Sequence, residues 1–261
     1  MDKITGKQNQ LIKDTKKLLV SAKARRDARS FVLEGARLCF DVLHSFYTVA
    51  LVLVTADCMA RYPAECARLC DRADRAVEIS SEVADKLAET EHTQGIFCVC
   101  KMPAENPTIE TGRFIALDGV QDPSNLGAIA RSAEALGIAG LLAYNCCDVY
   151  NPKALRASMG AAGKVPVAVV PQFPAFLRAL GEKGCAVYAA ALQNSRPLAE
   201  AVPPAGGGLA LVIGNEGAGL SPEAVAAAGM AVRIPMTGAV ESLNAAVAGS
   251  ILLWHFRGVG I

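Results

Sequence analysis

The second half of the chain alternates short, almost wholly apolar runs with helical segments, and this alternation restricts the fold more than any other feature. Strands that are apolar on both faces are typical of parallel sheets covered by helices on each side. The predicted strands are Arg113–Leu117, Gly140–Tyr144, Pro166–Val170, Ala186–Leu192, Leu209–Ile213 and Ala231–Ile234, and the predicted helices are Asn125–Leu136, Pro152–Met159 and Phe173–Leu180. The sequence therefore predicts an α/β domain over residues 113–261, with a parallel sheet at its centre.

Three loops of this domain carry polar residues beside glycines or at the start of a helix. Ser242 is a plausible N-cap for the long apolar helix that closes the chain. Where a glycine loop meets a helix N-terminus, unpaired backbone N–H groups converge and can hold a polar ligand. An ordinary capped helix packed on a sheet explains any one of the loops taken alone. Their polar residues are Asn125 and Arg131, Asn215 and Glu216, and Ser242 and Asn244.

Common nucleotide and metal motifs are missing from the sequence. No G-x-G-x-x-G follows a strand and no G-x-x-x-x-G-K-[ST] is present, so a Rossmann dinucleotide site and a P-loop are unsupported. His44, His92 and His255 stand in no motif, which argues against a histidine-based triad or metal site. We therefore expect no metal.

The first hundred residues predict a second, smaller α/β domain. A helix over residues 1–30 is followed by alternating strands and helices, and Met102–Gly112, with two prolines, reads as a linker. The predicted division is thus 1–101, 102–112 and 113–261. Although the net charge is only +1, residues 1–40 contain ten Lys or Arg against four Asp or Glu. This basic segment suits either contact with phosphates or a solvated helix surface.

The cysteines and the N-terminus bear on the cellular location. The nine cysteines lie mostly in apolar runs without paired C-x-x-C spacing, which indicates buried thiols in a reducing compartment. The N-terminus is polar and lysine-rich, unlike a signal peptide, and the apolar run Tyr47–Val54 is far shorter than the roughly 20 residues of a membrane span. A cytoplasmic protein is expected.

Three segments, in order, resemble the sequence motifs of the SpoU/TrmH family of RNA ribose 2′-O-methyltransferases, part of the SPOUT superfamily. They are NLGAIAR (125–131), IGNEGAGLS (213–221), and IPM (234–236) followed by ESLNAAVA (241–248). The N-terminal segments ITGKQNQLIKDTKKLL, FVLEGARL and HTQGIFCV more loosely resemble the ribosomal-protein-like RNA-binding domain of many such enzymes. A purely structural or dimer-forming domain is the alternative.

The resemblance implies a function and a set of site residues. It implies transfer of a methyl group from S-adenosylmethionine to a ribose 2′-hydroxyl of RNA, a homodimer, and a trefoil knot, which is rare among proteins. The N-terminal domain favours ribosomal RNA over tRNA. A non-catalytic RNA-binding or ribosome-assembly protein and a base methyltransferase remain as alternatives. The implied catalytic residues are Asn125, Arg131, Glu216, Ser242 and Asn244, and the implied cofactor contacts are Gly214, Asn215, Ile234, Met236, Leu243 and Asn244.

Roles within that set follow from side-chain chemistry. In the family that the motifs resemble, the arginine that matches Arg131 is usually assigned the hydroxyl proton. A guanidinium does not normally deprotonate, so binding a phosphate and orienting the hydroxyl suits it better. We expect Glu216 to hold Arg131 in a bidentate pair, and a loop carboxylate without a partner is the alternative. Residues six apart lie on different faces of a helix, so Asn125 is expected in the loop or at the N-cap. Leu192 either borders the cofactor pocket or, as we expect, belongs to the core.

Overall fold

The computed structural model describes residues 1–103, 112–202, 208–240 and 242–258, which form two compact units. The first unit contains Met1–Pro103 and Tyr150–Lys164, and the second contains the other described residues. The strands are β1 (Asp2–Ile4), β2 (Ser30–Glu34), β3 (Thr48–Val54), β4 (Arg75–Ile79), β5 (Ile96–Lys101), β6 (Arg113–Asp118), β7 (Gly140–Tyr144), β8 (Val167–Val169), β9 (Ala186–Ala190), β10 (Arg196–Pro197), β11 (Leu209–Gly214) and β12 (Met230–Arg233). The helices are α1 (Gln10–Val20), α2 (Ala22–Ala28), α3 (Ala36–Asp41), α4 (Ala56–Arg61), α5 (Pro63–Arg72), α6 (Ser81–Leu87), α7 (Pro123–Ala135), α8 (Pro152–Ser158), α9 (Phe173–Glu182), α10 (Pro222–Ala227) and α11 (Ala245–His255).

The first unit is built on a five-stranded sheet in the order β1-β4-β3-β5-β2. β5 runs antiparallel to both neighbours, whereas β1, β4 and β3 pair in parallel. Alternate residues of β2 enter different clusters, because successive side chains of a strand point to opposite faces. Phe31 belongs to one buried cluster and Val32 to the other. The smaller α/β domain expected in this part of the chain is therefore present.

Residues 150–164 pack within the first unit, although they follow β7 in the chain. Tyr150 stacks on Phe31 with ring centroids 4.6 Å apart, and the Tyr47 hydroxyl donates a hydrogen bond to the Ala162 carbonyl at 2.5 Å. The division at 102–112 stays a prediction. The structure adds that residues 150–164, which lie inside the predicted domain 113–261, pack with the first unit. Most of the predicted linker, residues 104–111, lies outside the described residues.

The second unit is built on a seven-stranded sheet in the order β10-β12-β9-β11-β6-β7-β8, in which every pairing is parallel. All six residues of β6 are buried. Phe114 and Ala116 pack with residues of α9 and α10 on one face. Ile115 lies beside Gly249 of α11 on the other face. The predicted parallel sheet with helices on both faces is therefore confirmed.

A buried arginine ties together the ends of two helices in this unit. The Arg113 guanidinium donates from Nη1 to the Leu136 carbonyl at 3.2 Å and from Nη2 to the Phe256 carbonyl at 2.9 Å. Leu136 and Phe256 are the C-cap residues of α7 and α11. A cation is favourable there because the carbonyl ends of helices carry partial negative charge. Desolvation by burial lowers the pKa of Arg113.

The strand order changes direction beside β6. From β6 the chain moves outward through β7 to β8 and then crosses to β9, and β11 later enters between β9 and β6. In open parallel sheets, ligands bind at the carboxyl ends of the strands where the order reverses, because the loops diverge there and leave a crevice. At this point Gly214, the last residue of β11, pairs with Asp118, the last residue of β6.

Differences from the predicted elements concern mainly short or interrupted ones. Residues 1–30 contain β1 and two helices rather than one helix, because Ser21 ends α1 and caps α2 by accepting from the Ala24 N–H. In the same way, α4 and α5 are separate helices rather than one, since Pro63 starts a new one. None of the helices in the described ranges combines the length and apolar character needed to cross a membrane.

Candidate active site

A cavity of about 740 Å³ opens at the carboxyl edge of the second unit's sheet. Its walls come from the ends of β9, β11 and β12, the loop after β11, α10 and the start of α11. This volume lies within the range typical of small-molecule and cofactor sites. The lining includes Gly214, Asn215, Ile234, Met236 and Leu243, together with Leu192.

Leu192 projects into this cavity instead of joining the core. Its side chain is 56% exposed. The expectation that it is a core residue is therefore wrong, because the strand predicted to extend to residue 192 ends at Ala190 and the chain has already left the sheet. An exposed apolar side chain at a cavity wall is a surface that a bound ligand can cover.

Asn125, Glu216 and Asn244 form one hydrogen-bonded network that joins three segments distant in sequence. The Asn125 amide donates from Nδ2 to Glu216 Oε1 at 2.9 Å. The Asn244 amide donates from Nδ2 to Asn125 Oδ1 at 2.8 Å. Asn125 is 7% exposed, so its amide has little access to water, and these bonds satisfy both ends of it. The structure thus brings together one residue from each of the three sequence motifs.

The helix cap of α11 sets the direction of this network. Asn244 Oδ1 accepts hydrogen bonds from the backbone N–H groups of Ala246 and Val247, at 2.9 and 3.2 Å. Because its oxygen is used by the cap, the Asn244 amide nitrogen must face Asn125 and donate. The Asn125 oxygen therefore accepts, and its nitrogen donates to Glu216. This chain of donors ends on a group that must be an acceptor.

The Glu216 carboxylate is that acceptor. It also accepts hydrogen bonds from the backbone N–H groups of Gln121 at 3.2 Å and Asp122 at 3.1 Å, just before α7. Desolvation by burial alone would raise the pKa of the Glu216 carboxyl, but the hydrogen bonds from Asn125 and these backbone groups outweigh it and lower the pKa. Glu216 is therefore an anion at neutral pH.

The loop after β11 is shaped by Gly214 and Asn215. Asn215 Nδ2 donates to the Gly119 carbonyl at 2.7 Å, and Oδ1 accepts from the N–H groups of Gly217 and Ala218, each at 2.9 Å. A Cβ at Gly214 would lie 2.3 Å from a backbone carbon of the returning loop, so only glycine fits there. Backbone of the loop therefore passes directly over the end of β11.

Asp118 is a buried polar residue of this region that motif reasoning missed. It ends β6, and Oδ2 accepts from the Ser221 N–H at 2.9 Å and the Ser221 hydroxyl at 2.6 Å. Its position, an acid that follows four apolar residues and precedes a glycine, is the one sequence signal that distinguishes it.

Arg131 lies apart from this network. It is exposed, and within the described ranges it makes no hydrogen bond or ion pair. The expected Glu216–Arg131 pair is therefore wrong. Six residues of α-helix turn through about 600°, which puts Arg131 roughly 120° around α7 from Asn125. The prediction that Asn125 lies in the loop or at the N-cap is also wrong, because Asp122 is the N-cap and Asn125 is the third residue of α7.

Ser242 lines the cavity but does not cap α11. The predicted N-cap is corrected to Asn244, because the helix begins at Ala245, two residues later than expected. Ser242 is exposed and Glu241 lies outside the described residues. Asn244 is absent from the described lining of the cavity, and its side chain instead caps the helix behind that wall. Across the described part of the chain, no group of three His, Cys, Asp or Glu side chains is placed to hold a metal ion.

Comparisons with known proteins agree with this architecture. The profile of the SpoU rRNA Methylase family matches residues 112–254, and that of the MRM3-like substrate binding domain matches residues 9–98. The 23S rRNA (guanosine(2553)-2′-O)-methyltransferase RlmP of Bacillus subtilis is 36% identical over 260 residues, covering 99% of this chain and 100% of the relative. An uncharacterized tRNA/rRNA methyltransferase of Synechocystis is 30% identical, covering 97% of this chain and 93% of the relative.

Solved structures give the same result. An AdoMet-bound rRNA methyltransferase from Sinorhizobium meliloti superposes with a TM-score of 0.87 at 28% identity, covering 98% of this chain and 97% of that one. The SpoU methyltransferase AviRb from Streptomyces viridochromogenes, in complex with AdoMet, gives 0.82 at 26% identity, with coverage of 96% and 97%. The resemblance inferred from the three motifs is confirmed, and this chain belongs to the SpoU rRNA methylase family.

Proposed function

We propose that this protein is an S-adenosylmethionine-dependent enzyme that methylates a ribose 2′-hydroxyl of ribosomal RNA. The observation that carries the proposal is the Asn125–Glu216–Asn244 network beside a cofactor-sized cavity, since it joins all three family motifs at one point. The relative RlmP of Bacillus subtilis, named as a 23S rRNA 2′-O-methyltransferase, supports the reaction and the substrate class. We keep a tRNA 2′-hydroxyl as the alternative acceptor.

The cavity has the character that S-adenosylmethionine requires. This cofactor carries a methyl group already activated on a sulfonium, so the protein has to bind and orient rather than activate it. Gly214 lets the backbone approach closely, and Ile234, Met236 and Leu243 supply apolar surface. Asn215 fixes the loop that forms one wall. These residues are our proposed cofactor contacts, with Asn244 holding the helix behind them.

Arg131 is our proposed contact to the RNA phosphate next to the acceptor ribose. Its guanidinium is exposed on α7 and, within the described ranges, has no carboxylate partner. A planar fork can bind a phosphate bidentately and so fix the sugar, whereas it is too basic to take the hydroxyl proton. Asn125 and Glu216 then fix the α7 N-terminus, and Ser242 faces the cavity as a polar contact.

A conservative pair of variants tests this role. Arg131→Lys keeps the charge but loses the fork, so we expect methyl transfer to fall about tenfold or more. Arg178, also an exposed arginine, lies on α9, and Arg178→Lys is the matched control that should retain activity. Full activity of Arg131→Lys would contradict a bidentate phosphate contact.

The first unit is our proposed RNA-binding domain. Between residues 10 and 29, seven Lys or Arg stand against two Asp. Lys13, Lys23 and Arg26 are exposed on α1 and α2. Phosphate contacts by such residues make binding salt-dependent, because each one releases counterions. Reversing Lys13 and Lys23 to Glu should weaken RNA binding and reduce its salt slope by about one to two, whereas Lys183→Glu in the second unit should not.

A homodimer is proposed from the exposed face of α11. Val247, Ile251 and Trp254 follow one another at helical spacing, and Trp254 is 58% exposed. A second copy of the chain is the proposed partner for this face. Trp254→Asp should shift the protein to monomer in analytical ultracentrifugation, whereas Val169→Asp, an exposed valine on β8, should not. A trefoil knot and a cytoplasmic location stay predictions.

The reaction is tested by incubating the protein with methyl-labelled S-adenosylmethionine and unmodified ribosomal RNA or tRNA, followed by alkaline digestion. Alkaline cleavage needs a free 2′-hydroxyl, so ribose methylation leaves a resistant dinucleotide. We expect label in resistant dinucleotides from ribosomal RNA. Asn125→Ala should abolish it, and Ser132→Ala, elsewhere on α7, should not.

Each other outcome points to one alternative. Label confined to mononucleotides would exclude the 2′-hydroxyl as acceptor and indicate base methylation. Label in dinucleotides from tRNA alone would identify tRNA, rather than ribosomal RNA, as the substrate. RNA binding without cofactor binding in calorimetry would indicate a non-catalytic RNA-binding protein.

A further inference from the structure

We propose that Asp118 is a positioning residue that fixes one wall of the cofactor cavity and thereby sets the affinity for the cofactor. This inference rests on the proposed function. Asp118 is 6% exposed and lies outside the described lining of the cavity, so it must act through another residue. That residue is Ser221, which lies 103 positions later in the chain.

Asp118 anchors Ser221 with two hydrogen bonds to a single carboxylate oxygen. The Ser221 N–H and hydroxyl lie 2.9 and 2.6 Å from Oδ2. Bonds to an ionised acceptor are shorter and stronger than neutral ones, and burial excludes the water that would compete with them. Because its proton is directed at Asp118, the Ser221 oxygen is free to accept from the Ala224 N–H as the N-cap of α10.

Ser221 connects two segments of the cavity wall. Residues 214–220 precede it and line the cavity, as do Pro222, Val225 and Ala226 of α10. The start of the loop has its own attachments through Asn215 and Glu216. Loss of the Asp118 anchor therefore frees the end of the loop and the start of α10, while leaving the Glu216 network attached.

This arrangement predicts a change in cofactor affinity with little change in the methyl-transfer step. Losing both bonds in Asp118→Ala should raise KM and Kd for S-adenosylmethionine about tenfold or more. Ser221→Ala keeps the backbone bond and should raise them about threefold. At saturating cofactor, kcat should stay within about twofold of the wild type in both variants.

Tyr188→Phe provides the matched control. It removes one partly buried hydrogen bond of the same unit, from the Tyr188 hydroxyl to the Val202 carbonyl at 2.8 Å, and Tyr188 is not in the described cavity lining. It should lower thermal stability without changing KM. Because Asp118→Ala can fail to fold, Ser221→Ala, which removes a single hydroxyl, supplies the decisive values in that case.

A second measurement does not depend on the reaction. Hydrogen exchange followed by mass spectrometry should show faster exchange over residues 215–227 in the Asp118 and Ser221 variants, with the rest of the second unit unchanged. Wild-type protein that binds no S-adenosylmethionine would refute the proposed function and the affinity part of this inference, and exchange would then decide the anchoring alone.

Three results would overturn the inference. One is unchanged exchange over residues 215–227 in Asp118→Ala. Another is a KM that stays within about twofold of the wild type while thermal stability falls, as it would for a purely structural hydrogen bond. The third is a loss of kcat of about a hundredfold at unchanged KM, which would place Asp118 in the transfer step itself.

Discussion

Replacing Gly214 with alanine tests whether a close backbone approach shapes the cofactor cavity. An added Cβ would lie 2.3 Å from the Gly219 carbonyl carbon, 2.4 Å from the Leu220 nitrogen and 2.5 Å from the Gly219 oxygen. All three are backbone atoms of a loop that is held at both ends. Unlike the tip of a side chain, this loop cannot rotate away, so it has to be displaced as a whole.

The magnitude follows from the cost of overpacking. Forcing an extra methyl group into a well-packed site costs about 1–3 kcal/mol, and a contact with rigid backbone belongs in the upper part of that range. For a domain of this size class, each kcal/mol lowers Tm by about 2–4 °C, so a cost of about 2–3 kcal/mol should lower Tm by about 4–12 °C. Because the displaced loop is a cavity wall, the Kd for S-adenosylmethionine should rise about tenfold or more.

Gly249→Ala is the matched control and should have the opposite effect on stability. Its added Cβ would lie 3.6 Å from atoms of Ile115 and Ile129 and 3.8 Å from Ile213, which are ordinary van der Waals distances. Gly249 is buried inside α11, where alanine is favoured over glycine by about 0.5–1 kcal/mol. The same change of residue type should therefore stabilise the protein at one site and destabilise it at the other.

Urea denaturation and calorimetric titration with S-adenosylmethionine would measure both variants beside the wild type. The reasoning is refuted if Gly214→Ala keeps the wild-type midpoint and affinity. A destabilised Gly249→Ala would also contradict it, since that result would show that the space beside α11 cannot hold an added methyl group.

Three further predictions concern charge and protonation. Arg113→Met should destabilise the second unit by about 2–4 kcal/mol in urea denaturation, because two helix-end carbonyls, that of Phe256 buried, lose a charged donor; an unchanged midpoint would contradict this. Glu216→Gln should reduce methyl transfer about 10–100-fold, because an amide N–H would face a backbone N–H donor. Since the pKa of Glu216 is lowered in the folded protein, the contribution of its carboxylate to stability is present above its ordinary pKa and is lost as pH falls through the lowered pKa. The pH–rate profile of the wild type should therefore have an acid limb that is missing from the profile of Glu216→Gln. Burial raises the pKa of Cys58 to about 12, so the fold favours the neutral thiol. Stability should therefore fall as pH rises from about 8.5, the pKa of the unfolded thiol, towards 12. Cys58→Ala should weaken this fall when the free energy of unfolding is measured from about pH 7 to 10.

Local patterns were sufficient to predict the longer elements of the second unit. The interior of β6, from Phe114 to Leu117, and all of β11 are apolar, so no competing periodicity obscures them. The two-residue β10 and the three-residue β1 carry no such pattern and exist because a neighbouring strand supplies their hydrogen bonds. Tertiary pairing, rather than propensity, decides elements of that length.

The candidate active site also depends partly on local sequence patterns and partly on tertiary contacts. The motifs identified Asn125, Glu216 and Asn244, but opposite charge suggested Arg131 as the partner of Glu216. The carboxylate instead bonds Asn125, which is buried on a different face of α7 from Arg131. Asp118 belongs to no motif that we recognised, because its partner lies far along the chain.

By itself, the sequence determined the fold class, the family, the residues of the three motifs and the glycine-rich character of the loop after β11. Apolar periodicity and residue type act over a few neighbouring positions, so they can be read without knowing the fold. Tertiary structure alone decided that β11 enters beside β6, that Asn244 rather than Ser242 caps α11, and that residues 150–164 pack in the first unit. These outcomes depend on hydrogen bonds and packing between segments far apart in the chain, and such contacts form only when the strands have taken their order in the sheet.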